Sequence, residues 1–227
     1  MNEMTAVLFD MDGVLVDVSR SYLVAIQKTA EFFLGDTIAL PEIQKYKNRG
    51  GLNNDWDLTD CLLRERGKPV DKRVLIEVFQ DIYLGKEFDG LITNEKWLLK
   101  RDILDKIAAS YPTGIVTGRP HREAGYVLKR FGVTDYFPAL ITMDDLPFDK
   151  NKPDPLGILL AMRLLSADSA VYIGDTVDDM VAAIKAGVKP LGVISPGSDE
   201  HMQKEALIRN GASCVLADIN DVLEVLP

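Results

Sequence analysis

The sequence predicts a doubly wound parallel α/β sheet, a Rossmann-like core, into which an all-helical domain is inserted. Three observations predict it. Short continuous apolar runs recur along the chain and end in acidic, glycine or hydroxyl residues, as buried parallel strands do. Helix-period segments closed by glycine lie between those runs, and alternating strand and helix means a parallel sheet. One stretch, 18–90, breaks the alternation with helical periodicity and no convincing strand.

The first apolar run is 6–9, followed directly by Asp10. The same form returns at 113–116 before Thr117-Gly118, at 170–173 before Gly174-Asp175, and at 191–194 before Ser195-Pro196-Gly197. Weaker examples stand at 140–142 and 214–216. Helical segments are expected at 122–131 before Gly132, 180–186 before Gly187 and 202–210 before Gly211. Within the insert, helices are expected at 22–34, from Pro41 onward, at 55–66 and at 71–84. A polar, glycine-containing loop at 47–54 separates the middle two. Asn94 is placed to cap an amphipathic helix carrying Trp97, Leu98, Leu99, Ile103, Leu104 and Ile107. The expected division is therefore 1–17 with 91–227 as the α/β core and 18–90 as the helical domain.

A chain of 227 residues with 47% hydrophobic content can bury one substantial core and a smaller second one. Its formal charge of −9 repels a phosphate backbone, and the only short basic stretch is Lys45, Lys47 and Arg49, so nucleic acid is not an expected partner. Cys61 and Cys214 have no CxxC spacing and no companion histidines, which argues against a disulfide framework or a zinc site; both read as small buried apolar residues. No apolar run approaches membrane-spanning length and the start of the chain does not read as a signal peptide, so no membrane partner and a cytoplasmic location are expected.

In parallel α/β sheets ligands bind outside the carboxyl ends of the strands. The residues there are Asp10 and Asp12, then Thr117, then Lys152 ahead of the 170–173 run, then Asp175, Asp178 and Asp179 after it. Several carboxylates converging on one pocket repel each other. A bound cation removes that conflict, and hard oxygen ligands make Mg2+ the natural choice. Lys152 supplies a balancing point charge, Thr117 a hydroxyl, and the start of the following helix free amide groups for an anion.

The order of these motifs is recognisable. Asp10-Met11-Asp12-Gly13-Val14-Leu15-Val16-Asp17 resembles the first motif of the haloacid dehalogenase superfamily. Thr117 resembles its second-motif hydroxyl residue, Lys152 in Lys152-Pro153-Asp154-Pro155 its third-motif lysine, and Gly174-Asp175-Thr176-Val177-Asp178-Asp179 its acidic fourth motif. The helical insert resembles the C1 cap of the group that contains phosphoglycolate phosphatases and β-phosphoglucomutases. The resemblance implies hydrolysis of a small phosphorylated metabolite, with Asp10 as nucleophile and Asp12 as acid and base. It also implies Mg2+ held by the Asp10 carboxylate, the Asp12 carbonyl and the Asp175 carboxylate, with Asp179 and Asp178 behind them. Thr117 and Lys152 would bind the phosphoryl oxygens. A phosphotransferase of the β-phosphoglucomutase kind, or a non-catalytic module that binds a phosphorylated ligand, would use the same scaffold. A dehalogenase is disfavoured because members that cleave carbon–halogen bonds typically lack the second aspartate of the first motif.

One departure from the group's usual pattern stands at Gly118-Arg119-Pro120, where asparagine often follows the second-motif hydroxyl. The Gly118 amide can still donate to phosphate. Arg119 is expected as an additional fork-shaped cation that could meet a second anionic group on the substrate. The cap loop offers Asn48, Arg49, Asn53 and Asn54 around Gly50-Gly51, a density of polar groups suited to contacting substrate. Trp56 is read as either a pocket or a packing residue, and Asp178 as a carboxylate that stabilises a helix start. His121 and His201 show no ligand spacing and are expected at the surface.

Overall fold

The computed structural model describes residues 4–47 and 54–227. Eight strands are present among them: β1 Thr5–Phe9, β2 Val16–Asp17, β3 Lys96–Trp97, β4 Thr113–Val116, β5 Ala139–Ile141, β6 Ser169–Gly174, β7 Lys189–Val193 and β8 Cys214–Leu216. The helices are α1 Tyr22–Leu34, α2 Leu40–Lys47, α3 Asp55–Glu65, α4 Lys72–Tyr83, α5 Arg101–Ser110, α6 His121–Phe131, α7 Leu156–Leu164, α8 Val177–Ala186 and α9 Glu200–Arg209. Contacts divide the chain into two compact units, Met1–Asp17 with Trp97–Pro227, and Val18–Lys96.

The first unit is a six-stranded sheet in the order β5-β4-β1-β6-β7-β8, with every pair parallel. Ala6, Val7, Leu8 and Phe9 of β1 have no exposed surface, as a central strand covered on both faces requires. The chain builds β4 and β5 on one side of β1 and then crosses to β6 on the other, so the order reverses around β1. Phe9 is level with Ile115 on one side and Ile173 on the other, which brings the carboxyl ends of β1, β4 and β6 to the same edge.

α7 packs against β1, β4, β5 and β6 and against α8. Sequence periodicity does not single it out, because Leu-Gly-Ile-Leu-Leu-Ala-Met-Arg-Leu is apolar nearly all round and offers no contrasting polar face. A second difference concerns the helix expected after Asn94. Leu91–Asn94 is a single 3-10 turn, Lys96–Trp97 pairs with Val16–Asp17, and the α-helix begins only at Arg101. Asn94 does not cap it. The Lys100 amide at that end donates instead to Asn220 Oδ1 at 2.7 Å, so a side chain remote in sequence takes the capping role. Cys61 and Cys214 are outside any disulfide and half-buried rather than fully buried.

The second unit is four helices around Ile26, Ala30, Leu58, Leu62, Leu75, Phe79 and Tyr83, all buried. Tyr22 stacks on Tyr83 with ring centroids 4.3 Å apart. Asn54 and Asp71 cap α3 and α4, each accepting two backbone amides of the first turn. The unit extends past residue 90 because Ile92 and Glu95 are buried in it. Glu95 Oε1 accepts hydrogen bonds from the Ser21 and Tyr83 hydroxyls, each at 2.9 Å, and so ties the end of this segment to the start of α1 and the end of α4.

Glu95→Ala should therefore destabilise the helical unit by about 2–3 kcal/mol, the range for losing buried hydrogen bonds to a carboxylate. Glu95→Gln, which keeps an acceptor, should cost less. Urea unfolding followed by far-ultraviolet circular dichroism measures both, and equal stability of wild type and Glu95→Ala would contradict the assignment.

Candidate active site

Asp10 follows β1 directly, and its amide donates to Ile173 O at 2.8 Å, so the strand pairing itself carries the carboxylate to the sheet edge. The next six residues form a tight loop: Leu15 N and Val16 N both donate to Met11 O, and Gly13 N donates to Val16 O. Gly13 has φ +74°, and a Cβ there would stand 2.2 Å from Asp175 Oδ2. Only glycine satisfies both constraints, and its absent side chain is what lets the first loop lie against Asp175.

The segment after β6 is built by a capping box. Asp179 N donates to Thr176 Oγ1, while Thr176 N donates to Asp179 Oδ2 at 3.0 Å. This folds Asp179 back over Gly174, where a Cβ would stand 2.2 Å from Asp179 Cβ. Asp179 is consequently buried and fully engaged: Thr176 occupies Oδ2, and Lys152 Nζ, at 2.6 Å, and the Tyr172 hydroxyl, at 3.2 Å, meet Oδ1.

Lys152 is the centre of the charge arrangement. Its Nζ lies 2.9 Å from Asp10 Oδ1, 2.6 Å from Asp179 Oδ1 and 3.2 Å from the Tyr172 hydroxyl. The Tyr172 oxygen also lies 3.1 Å from Val116 O, so this phenol links β6, β4 and the lysine. Sequence reading passes over Tyr172 because it sits inside an apolar strand run; the available signal is that a buried tyrosine hydroxyl needs partners. It passes over Ser195 and Gln203 as well. Gln203 Nε2 donates to Asp175 O at 2.7 Å and to Ser195 Oγ at 3.0 Å, which steadies the backbone of the Asp175 loop.

Burial pushes the Asp10 carboxyl up to about 7 against the pull of Lys152, with Asp179 and Asp12 adding to the rise. Burial, then Asp179 and Asp10, push Asp175 well above the carboxylate range, and the Lys152 charge and a hydrogen bond from Ser195 offset only part of this. For Lys152, burial disfavours the ammonium, but Asp10 and Asp179 outweigh it and hold the group well above its usual range. Asp178, half-buried at the start of α8, is raised by burial and by Asp179.

The donor set fits a divalent cation. Asp10, Asp175 and Asp179 each offer an oxygen, all within 4.8 Å of one another. Asp175 Oδ1 is buried with no hydrogen-bond partner, an arrangement costly for a carboxylate unless a positive charge meets it. Since Asp179 is spent on Lys152, Thr176 and Tyr172, Asp10 and Asp175 are the carboxylates with ligand capacity to spare.

Thr117 is buried after β4, with its amide on Ile141 O at 2.9 Å, and Gly118 beside it is exposed with open space where a Cβ would stand. The expectation for Arg119 is corrected. Its side chain is 0% exposed and lies on Asp12, so it presents no free fork to a second anionic group. Asn54 is corrected too: its side-chain oxygen accepts from Trp56 N and Asp57 N as the cap of α3. Asn48, Arg49 and Asn53 lie outside the described residues.

Residues 7–193 match the haloacid dehalogenase-like hydrolase family. Over 98% of its length the chain is 34% identical to an imidazoleglycerol-phosphate dehydratase of Phytophthora nicotianae, and it spans about half of that protein, 52%. It is 27% identical to a phosphoglycolate phosphatase of Yersinia pestis, across 97% of this chain and 92% of that one. The crystal structure of a conserved haloacid dehalogenase-like protein of Agrobacterium tumefaciens superposes with a TM-score of 0.74 at 21% identity, covering 98% of this chain and 97% of the other. The match of the family to most of the chain, on a parallel sheet whose strand ends carry its acidic motifs, establishes that this protein belongs to the haloacid dehalogenase-like hydrolases.

Proposed function

We propose that the protein is a Mg2+-dependent phosphatase that hydrolyses a small phosphorylated metabolite through an aspartyl-phosphate on Asp10. The observation that carries this reading is the charge arrangement of the site: Asp10 touches Lys152 at 2.9 Å while Asp175 Oδ1 nearby is buried and unpaired. That is a nucleophile held beside one positive charge with a place prepared for another. Similarity to a phosphoglycolate phosphatase supports the same reaction class.

In this reading Asp10 attacks phosphorus in line, and Lys152, with Thr117 and the Gly118 amide, balances charge on the phosphoryl oxygens. Asp12 gives a proton to the leaving alcohol and takes one from the water that cleaves the acyl phosphate. Asp10 and Asp175, with the Asp12 carbonyl, would hold the Mg2+, whose charge neutralises the phosphoryl group. Asp179 keeps Lys152 in place rather than binding metal. The helical unit is read as the cap domain of such enzymes, and the location as the cytoplasm, in keeping with two cysteines outside any disulfide and no helix long and apolar enough to cross a membrane among the described residues.

A screen of phosphorylated metabolites should give Mg2+-dependent phosphate release that EDTA abolishes and Ca2+ restores poorly. Asp10→Asn should retain the fold and lose at least about a hundredfold in turnover. Substantial activity in that variant would rule out the covalent route, and conversion of a sugar phosphate without phosphate release would indicate a phosphotransferase.

The site also predicts how stability responds to pH. Unfolded, Asp10 loses its proton near 3.8; folded, only near about 7. Between those values the native state binds more protons than the unfolded chain, so the contribution to stability falls as pH rises. Asp175 acts in the same direction, whereas Lys152 stays charged in both states throughout this window. The Tm of EDTA-treated protein should therefore fall from pH 5 to pH 7.5 through this contribution, Mg2+ should raise Tm more at the upper pH, and Asp175→Asn should flatten the dependence. Calorimetric scans with and without Mg2+ test this, and a Mg2+ effect no larger at high pH would contradict it.

A further inference from the structure

We propose that Arg119 is a positioning residue for Asp12, fixing that carboxylate for both of its proton transfers; the proposal rests on the phosphatase reading above. Arg119 Nε lies 2.6 Å and Nη2 2.5 Å from the same oxygen, Asp12 Oδ1. The guanidinium side chain is 0% exposed while that of Asp12 is 31% exposed, so the carboxylate is gripped from beneath and reaches toward solvent above. With Oδ1 taken, Oδ2 is the oxygen left to carry the proton. An arginine suits this task because it cannot give up its own proton, and its Nε hydrogen bond with the adjoining Nη2 charge holds Oδ1 in place.

The anchor is independent of the Asp12 loop. Arg119 N donates to Thr117 Oγ1 at 3.2 Å, its carbonyl accepts from Met143 N at 3.2 Å, and Thr117 N is tied to Ile141 O. These bonds belong to the carboxyl ends of β4 and β5, so Arg119 reaches Asp12 from a neighbouring strand rather than moving with it. Lys152 contacts Asp10 and Asp179, whereas Arg119 contacts Asp12. The two aspartates of one loop thus have separate cations, and a buried arginine, a costly group to bury, is retained where its partner is the acid and base.

The reaction assigns Asp12 two steps. In the first, Asp10 oxygen bonds to phosphorus as the phosphorus–ester oxygen bond breaks, and the leaving oxygen keeps the electron pair and takes the Asp12 proton. In the second, water oxygen bonds to phosphorus, its proton passes to Asp12, and the bond from phosphorus to Asp10 oxygen breaks with its electron pair returning to the carboxylate. An aryl ester with a good leaving group needs little help in the first step, but the second always needs the base. Loosening Asp12 should therefore stall the enzyme after phosphorylation.

The test uses p-nitrophenyl phosphate with Mg2+ on wild type, Arg119→Met and Arg119→Lys, with Asp10→Asn as control. Arg119→Met should release about one equivalent of nitrophenolate in a burst and then turn over about 30–100-fold more slowly than wild type, within the range for general acid–base catalysis. Its KM should fall with kcat, and acid-quenched protein should carry phosphate on Asp10 seen by mass spectrometry. Arg119→Lys, which keeps a charge but not the fork, should show the same pattern with a smaller loss, and it carries the test if Arg119→Met does not fold. A raised KM without phosphoenzyme would make Arg119 a substrate ligand and overturn the proposal. Loss of burst and steady-state rate in proportion would make its role merely structural and overturn the proposal equally. Wild-type kinetics in both variants would also overturn it, leaving the phosphatase reading intact. Turnover in Asp10→Asn close to that of wild type would instead remove that reading, and this inference with it.

Discussion

Carboxylates crowd one dry edge of the sheet, and the structure around that edge is arranged to meet their charge. Asp10, Asp175 and Asp179 present oxygens within 4.8 Å of one another, with Asp10 and Asp179 buried and Asp175 half-buried, so water screens them poorly. Burial alone drives Asp10 and Asp175 toward their neutral forms. The chain answers with Lys152 between Asp10 and Asp179 and leaves Asp175 Oδ1 for a charge that no described side chain supplies. Such a site is unfavourable by itself and would become favourable if a cation entered, so the proposed metal affinity and the local instability would have one origin.

The supporting residues follow from that constraint. Gly13 lets one loop approach Asp175, and Gly174 lets Asp179 turn back to reach Lys152. Tyr172 joins Lys152 to the end of β4 through Val116 O, so the lysine is held by the strand framework and not only by its charges. The parallel register matters for the same reason. Because Phe9, Ile115 and Ile173 are level, residues far apart in sequence leave their strands at one height and meet.

Most of the sheet is legible in the sequence because β1, β4, β6 and β7 are apolar runs bounded by polar turns, a pattern that buried parallel strands impose directly. α7 is not, since a helix apolar on every side carries no periodic contrast. The start of α5 differs from expectation because its amide is satisfied by Asn220, a partner that no local pattern reveals. The acidic motifs are legible as residue types at strand ends. What they touch is not: Arg119 and Asn54 both look like groups offered to a ligand, and both are committed within the protein, one to Asp12 and the other to a helix end. A polar residue next to a candidate site is ambiguous in sequence because capping, pairing and ligand binding call for the same side chains.

In the proposed mechanism Asp10 and Asp12 would be two identical side chains, one residue apart, with different chemistry. Asp10 is 6% exposed and sits level with the strands, against an ammonium that contacts it as a point charge. Such a contact balances the carboxylate's charge without dictating its plane, as the proposed attack on phosphorus would require. Asp12 is more open and is held by Arg119 at a single oxygen, Oδ1, which anchors that oxygen and leaves Oδ2 without this contact. An attacking group needs charge balance that can shift as a bond forms; a group that passes protons in two directions needs a fixed position. The choice of lysine beneath one aspartate and arginine beneath the other matches those two requirements.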